Sequence, residues 1–485
     1  MAFQSLDEFI AAAMNIGEAQ LIESADLDLD VGCLTELFFE RKGPMLLFDK
    51  FAGYPEGFRV SSNALRTPRR FALAMGFPLD AHPIELVKLW KERKKTLGEV
   101  PPVEVKDGPV LENAQHGDDV NVNFFPAPMW HSADGGRYIG TGDIVVTRDP
   151  EAGWVNLGVY RGQIQGRDRL TLWVNPIKHG RMLIERYWAR GEPAPIAVVL
   201  GCEPLTWMAA SMAPAFGTSE YLLAGAYREK PVEVVRLPRT GLPVPAHADI
   251  VLEGEMPPLT EESAYEGPHG EWPGYYSHQG YEPVVRIKSI YYRHRPILLG
   301  MPNLRPLGDG NLIGVPAIAV QTWEHLEHAG VTDIAGVWAF GFFLMIVVSL
   351  RQRYTGHARQ ALLAMSGFRL GDMKRYYIAV DDDIDPSNID EVLWAISTRA
   401  DPATSIEIIR GAWTNALDPR LTPEQRRLGD FTMGRMLIDA CKPYNWRDQF
   451  PRSNVYSAEE RRIVTERWRD LLASLEKRVP VPGRR

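Results

Sequence analysis

Glu266 and Glu271 stand five residues apart in the run Glu266-Gly267-Pro268-His269-Gly270-Glu271-Trp272-Pro273-Gly274-Tyr275-Tyr276. Three glycines and two prolines in these eleven residues break both helical and strand periodicity. A chain bent this tightly can aim both carboxylates into one cleft. Paired acids in unlike environments hold different pKa values, so one can donate a proton while the other stays ionised. The competing reading is a surface loop with two solvated glutamates. This segment alone does not choose between them.

Further candidates lie on both sides of that run. Trp154 to Arg161 reads as a strand whose alternation puts Asn156 and Arg161 on opposite faces. Gly158 between them permits a bulge that re-aims one side chain. An Arg at a strand end can grip a carboxylate with its two-pronged donor, or simply pair with a surface acid. His179 follows Asn175-Pro176-Ile177-Lys178, where a helix begins. Neutral imidazole can bind a metal and a helix N-terminus welcomes phosphate, although a lone His is as readily a capped or packed one. Ala209-Ala210-Ser211-Met212, followed by Gly217-Thr218-Ser219-Glu220, offers small residues that let backbone approach an anion. Glu220 either complements a helix dipole or completes an oxygen/nitrogen metal site with Asn156 and His179. Such hard, mixed ligands suit Mn²⁺ or Mg²⁺ better than zinc. Asp381-Asp382-Asp383-Ile384-Asp385-Pro386 starts like a calcium loop. It has Pro386 where the glycine is needed and Val392 where the final Glu is needed, so calcium binding is rejected.

The elements that must position these residues fall into blocks. A chain of 485 residues exceeds one core and implies two to four domains. Residues 1–115 mix helix and strand signals, with a helix from Leu86 to Lys95 after Pro83. The basic run Lys91 to Lys95 reads as a solvated face. Pro101-Pro102 and the polar stretch to Asp119 mark a boundary. Residues 116–305 read as a central β domain, barrel-like, with inserted helices. Its expected strands are Val120–Phe125, Asp143–Arg148, Trp154–Arg161, Arg169–Asn175 and Ile196–Leu200, with more from Val232 to Leu252 and from Pro283 to Tyr292. Gly166-Arg167-Asp168 turns a hairpin. Helices are expected over His179–Arg190, Leu205–Met212 and Glu220–Arg228. Residues 306–455 alternate strand and helix as a smaller α/β domain, with a strand at Tyr376–Val380. Ser387 and Asp390 open its helix Ile389–Thr398. In 456–485, Ser457 and Glu460 cap a last amphipathic helix suited to packing on a neighbouring subunit or on its own domain.

Bulk properties exclude several function classes. Hydrophobic residues make up 45% and charged ones 24%, with net charge −8, which argues against nucleic acid as the main partner. Cys33, Cys202 and Cys441 are odd in number and far apart, so neither a disulfide framework nor a zinc cluster is expected. That pattern, with no secretory signal at the N-terminus, fits a cytoplasmic location. Ser5 and Glu8 read as a capping box. Ile334 to Leu350 carries no charge, but Gly336 and Gly341 and its Val/Ile/Phe content favour a buried strand with its approach over a membrane span.

Taken in order, Asn-x-Gly-x-Tyr-Arg at 156–161, Glu-Gly-Pro-x-Gly-Glu at 266–271, and Asp-Asp-Ile-Asp-Pro through Trp394-Ala395 to Thr398-Arg399 resemble the UbiD family of decarboxylases. The likeness runs from about residue 30 to 445. No Walker loop, dinucleotide turn, His-Glu-x-x-His or nucleophile elbow competes. The resemblance implies a central split β-barrel of the flavin-reductase type, flanked by α/β domains, holding prenylated FMN with Mn²⁺ and K⁺ at its phosphate. It implies Asn156, His179 and Glu220 as Mn²⁺ ligands. It assigns Ala209, Ala210, Ser211 and Met212 to the K⁺ and phosphate region, with Arg399 added there and Lys178 as a cofactor contact. Arg161, Glu266 and Glu271 match the catalytic set, with Glu271 protonating the carbon that loses carbon dioxide and Arg161 paired to Glu266. Trp272, Arg305, Asn311 and Ile313 are expected around the substrate. That substrate is an aromatic, heteroaromatic or α,β-unsaturated acid, and benzoate, furan, pyrrole and cinnamate types stay open. A flavin prenyltransferase supplying the cofactor and a homodimer or larger ring complete the expectation. Two other classes compete: a flavin carrier without turnover, and a split-barrel flavin reductase. A carrier has no use for a proton donor, and no nicotinamide fingerprint supports a reductase.

Overall fold

The computed structural model describes residues 2–212, 214–277, 279–305, 314–341, 343–367 and 373–476. The first helix, Leu6–Asn15, is capped by Ser5, whose side chain accepts from the Glu8 amide. Glu8 returns its bond to Gln4 rather than to Ser5, so only half of the expected capping box forms. The helix buries Leu6, Phe9, Ile10 and Ala13, a three-to-four spacing that makes one apolar stripe. It packs by a four-stranded sheet in the order Ala19–Glu23, Met45–Asp49, Arg59–Ser62, Ile297–Gly300. The last of these arrives from far downstream and ties the N-terminal unit to the central one.

The central sheet is antiparallel and ten-stranded. Its order is Tyr138–Gly140, Arg161–Ile164, Arg169–Trp173, Gly280–Tyr292, Ile250–Met256, Ala194–Val199, Ile144–Arg148, Val155–Gly158. Ser263–Glu266 and Asn113–His116 add to the long strand Gly280–Tyr292. Connectivity makes this sheet curl. Tyr138–Gly140 and Ile144–Arg148 sit near opposite ends of the order but are joined by only residues 141–143. Val155–Gly158 and Arg161–Ile164 are likewise separated by two residues. A flat sheet with strands about 4.8 Å apart cannot satisfy either link. Helices His179–Trp188, Pro204–Ser211 and Glu220–Arg228 are inserted along it.

The C-terminal unit has a mixed five-stranded sheet in the order Ile334–Phe340, Met345–Leu350, Tyr376–Asp381, Thr432–Ala440, Ile406–Trp413. The uncharged segment Ile334 to Leu350 is an antiparallel hairpin within it, turned at Gly341 with φ +58°. Among the described residues no helix is long and apolar enough to cross a membrane.

Several local expectations change. Val120–Phe125 is not a strand: Asn121 accepts from the Asn123 amide and Val122–Phe124 forms a 3₁₀ turn. Trp154–Arg161 is two strands rather than one. The helix Ile389–Arg399 is capped by Asn388, not Ser387, because the Asn388 side chain reaches the Asp390 amide. The boundary stretch after Pro101-Pro102 is stitched into the central unit, since Val103–Glu104 pairs with Glu233–Arg236. The basic run in helix Pro83–Thr96 is not merely a solvated face. Lys91 is buried, pairs with Glu327 at 2.9 Å and lies over the Trp323 ring, while Lys94 pairs with Glu324 at 2.7 Å. Both acids belong to helix Gly314–His328. The tail is two helices, Ala458–Arg467 and Arg469–Glu476, and Ser457 with Glu460 forms the expected box.

Candidate active site

Arg161 opens the strand that follows the two-residue break at Val159-Tyr160. The bulge expected at Gly158 is a complete change of strand. Asn156 and Arg161 thus lie on strands at opposite ends of one curled sheet instead of on opposite faces of one strand. A Cβ at Gly158 would overlap the Tyr160 hydroxyl, so the chain turns there at the cost of any side chain.

Glu266 closes the strand Ser263–Glu266, where its register partner is Gly280. The next peptide, Gly267–Pro268, is cis, and Gly267 has φ +88°, a conformation open to glycine. The run then folds back so that the Glu271 amide donates to Tyr275 and the Gly274 amide donates to Glu271 at 2.9 Å each. Both acids meet Arg161. Its Nε donates to Glu266 Oε1 at 2.8 Å and a terminal nitrogen to Oε2 at 2.7 Å. The other terminal nitrogen donates to Glu271 Oε1. All three residues are buried. The guanidinium also lies 4.8 Å over the Trp173 ring. Burial pushes the Glu271 carboxyl up, and this outweighs the opposing pull of Arg161.

A supporting layer lies behind the trio. Tyr138 donates from its hydroxyl to Glu266 Oε1 at 2.7 Å. Its ring packs on that of His269 with centroids 4.1 Å apart. Burial lowers His269 to about 3, so it stays neutral. Asp134 accepts from the Gly270 amide at 3.1 Å, and Gln163 accepts from the Gly267 amide at 3.1 Å. Sequence reasoning missed these residues. His269 sits between the two acids, which was a usable signal. Tyr138, Asp134 and Gln163 carry no spacing signal, because tertiary folding alone brings them there.

A second cluster gathers around Val155–Gly158. Glu220, buried in the first turn of its helix, accepts from Asn156 Nδ2 at 2.8 Å and from the Leu157 amide at 2.6 Å. Burial pushes Glu220 up to about 7. His179 begins its helix, with its ring 5.2 Å from that of Phe216 and 6.3 Å from that of Trp154. Lys178 is exposed at that helix start. Ala209 and Ala210 are buried near the end of the helix Pro204–Ser211, Ser211 is exposed, and Met212 caps the end. Among the described residues no group of three or more His, Cys, Asp or Glu could hold a metal. The Asn156–His179–Glu220 set contains two residues of those types.

Other candidates land elsewhere. Arg399 is not at this cluster's hydrogen bonds: it pairs with Asp381 at 3.0 Å and Asp383 at 2.8 Å within the C-terminal unit and lies over Trp394. Trp272 is half-buried directly after Glu271. Arg305 is exposed, and a Cβ on Gly274 would stand 3.4 Å from its stem, so it borders the Glu271 turn. Asn311 and Ile313 lie outside the described residues.

Comparison with known proteins gives one consistent match. The 3-octaprenyl-4-hydroxybenzoate carboxy-lyase (UbiD) profiles match in three parts: the N-terminal domain over residues 17–90, the Rift-related domain over 102–306 and the C-terminal domain over 312–440. Pyrrole-2-carboxylic acid decarboxylase of Pseudomonas aeruginosa is 30% identical over 469 residues, covering 92% of this chain and 93% of the relative. Among solved structures, vanillic acid decarboxylase of Sedimentibacter hydroxybenzoicus in open form superposes with TM-score 0.85 at 25% identity, covering 98% of this chain and all of that one. The UbiD-class enzyme HmfF of Pelotomaculum thermopropionicum, in complex with FMN, superposes with TM-score 0.82 at 26% identity over 94% of this chain and 98% of that one.

Proposed function

This chain belongs to the UbiD family of carboxy-lyases, and from that membership we propose that it decarboxylates an aromatic or heteroaromatic carboxylic acid, with Glu271 as proton donor beside an Arg161–Glu266 pair. The observation that carries this reading is the meeting of three side chains, 105 and 110 residues apart in sequence, around one buried guanidinium.

Charge explains the division of labour. Burying two carboxylates beside one guanidinium leaves an excess negative charge that a carboxylate substrate would worsen. Placing a proton on Glu271 makes the trio neutral and readies the donor before the substrate binds. Glu266, held by Arg161 at both oxygens and by Tyr138, is the ion-pair partner of that guanidinium. Arg161 orients the substrate carboxylate with donors already shared. It therefore does not hold that group too tightly for carbon dioxide to leave. When the carbon–carboxyl bond breaks, its electron pair remains on carbon and takes the Glu271 proton.

Prenylated FMN, when bound, would supply the electron sink for that step, a reactive carbon chemistry that side chains lack. The residues fit such a group. Asn156, His179 and Glu220 form a hard nitrogen/oxygen set suited to Mn²⁺. Glu220 is buried against Asn156 and the Leu157 amide, which places a carboxylate oxygen pair beside that set. Ala209 to Met212 would border K⁺ and the phosphate, and Lys178 lies next to His179. Trp272 and Arg305 would line the substrate. The curled sheet supports a split barrel of the flavin-reductase type, with later units at 306–455 and a tail at 456–485; the pairing of Val103–Glu104 and Asn113–His116 favours a first boundary near 102 over the expected 115. Exposed Tyr456, Ile463, Val464, Trp468 and Leu471 on that tail support a second copy of this chain as its partner. A cytoplasmic flavin prenyltransferase would supply the cofactor.

The test is co-expression with such a prenyltransferase and a screen of pyrrole, furan, benzoate and cinnamate acids for released CO₂. Glu271→Gln should lower turnover by about 100- to 10,000-fold while flavin absorbance is retained. Unchanged turnover in that variant would remove Glu271 from its role.

A further inference from the structure

We infer that Glu282 is the proton entry to the catalytic trio, taking a proton from solvent and returning it to Glu271 after each turnover. This rests on the donor role proposed for Glu271. The strand pairing places Glu282 beside the trio. Ala264 faces Glu282 and Glu266 faces Gly280, so Glu266 and Glu282 are diagonal neighbours on one face. Such pairs stand within about 8 Å. On its other side the long strand pairs Val284 with Thr171, and alternation puts Glu282 on the face that carries Thr171 and Trp173. Trp173 is the register partner of Arg161 and carries its guanidinium. Glu282 therefore looks at the trio from the strand next to Glu266, and it is half-buried.

The need for a reload follows from the balance of the reaction. One carboxylate and one proton become one C–H bond and one CO₂, so Glu271 is left as a carboxylate each time. Glu271 is buried and bonded to Arg161, which separates it from water. Glu266 has both oxygens committed to Arg161 and one also to Tyr138. Arg161, Arg181 and Glu266 are the charged groups facing Glu282. Among the described residues Arg161 pairs with Glu266 and Glu271, and Arg181 pairs with Glu185, so Glu282 lies near both cations and is paired with neither. Burial first, then the Glu266 charge, push it up to about 7 against the two arginines. It is thus the acid here that can hold a proton at neutral pH and still meet water. The transfer is balanced: Glu282 goes from acid to carboxylate, Glu271 from carboxylate to acid, and solvent returns the proton to Glu282.

Rapid-quench CO₂ release from the flavin-loaded Glu282→Gln enzyme tests this, with pyrrole-2-carboxylate or vanillate, whichever turns over faster. We expect one CO₂ per site at the wild-type rate, then a steady state slower by at least about ten-fold, with Glu282→Asp largely restored. Exchange of the product C–H with D₂O should slow by the same factor in Glu282→Gln, a readout that a structural role would not couple to an intact burst. Equal steady-state rates, or a burst slowed as much as the steady state, would overturn the relay. A normal loss in Glu271→Gln with an unaltered Glu282→Gln sinks the relay alone. An active Glu271→Gln sinks the donor assignment itself.

Discussion

Arg161 shares its guanidinium between Glu266, which takes two of its hydrogen bonds, and Glu271, which takes one. That inequality gives two acids of the same type unlike surroundings, and burial pushes the Glu271 carboxyl up. Asp143 shows the same physics outside the trio. It is fully buried, neither of its oxygens has a partner among the described residues, and burial pushes it up to about 8. Its folded value exceeds the unfolded one of about 3.9, so the fold is favoured while Asp143 is protonated. That advantage fades as pH rises from about 4 toward 8. The melting temperature of the flavin-free protein should therefore fall more steeply between pH 5 and 8 than that of Asp143→Asn. At pH 8 the variant should gain about 2–4 °C on wild type relative to pH 5. Differential scanning calorimetry at both pH values checks this, and parallel curves would mean that Asp143 titrates alike folded and unfolded.

Among the elements, helix Pro83–Thr96 and helix Gly314–His328 are joined by charge as well as by apolar contact. Lys91 buries its stem, stands over Trp323 and ends on Glu327, whereas Lys94 ends on the half-exposed Glu324. Reversing one charge leaves two like charges facing each other, and the buried lysine site suffers more than a surface pair. Lys91→Glu should destabilise by about 1–2 kcal/mol, and Glu327→Lys in the same chain should recover part of it. Urea unfolding of the two single variants and the double variant measures the coupling. Strict additivity would show that packing of the lysine stem, not the ion pair, holds the helices. The break between Val155–Gly158 and Arg161–Ile164 is the other decisive local event. A continuous strand would have placed Asn156 and Arg161 on opposite sides of one sheet.

At the scale of the molecule, short links between distant strands force the central sheet to curl. The curl brings the Asn156–Glu220 cluster and the Arg161 trio onto one sheet, two residues apart in its chain break. The C-terminal tail leaves Trp468 and Leu471 more than half exposed, at 53% each. Such a stripe is costly in water unless covered. Truncation after Arg452 should leave the catalytic units folded and shift sedimentation from oligomer to monomer. Unchanged sedimentation would mean that the tail does not mediate self-association.

Sequence by itself determined much of this protein. Gly and Pro density marked the Glu266–Glu271 turn, and helical signals marked His179–Arg190, Glu220–Arg228 and Ile389–Thr398, each within two residues of the helix that forms, because those signals are local. The ordered motifs identified the family and the three members of the trio. Only the tertiary structure decided what those residues touch. Tyr138 on Glu266, Glu282 beside it and Lys91 on Glu327 depend on strand register and helix packing between segments far apart in the chain. A strand signal is weak where a side chain can satisfy the backbone first, as Asn121 does before Val122. The motif gave Arg399 no partner, and the fold supplies the carboxylates of Asp381 and Asp383.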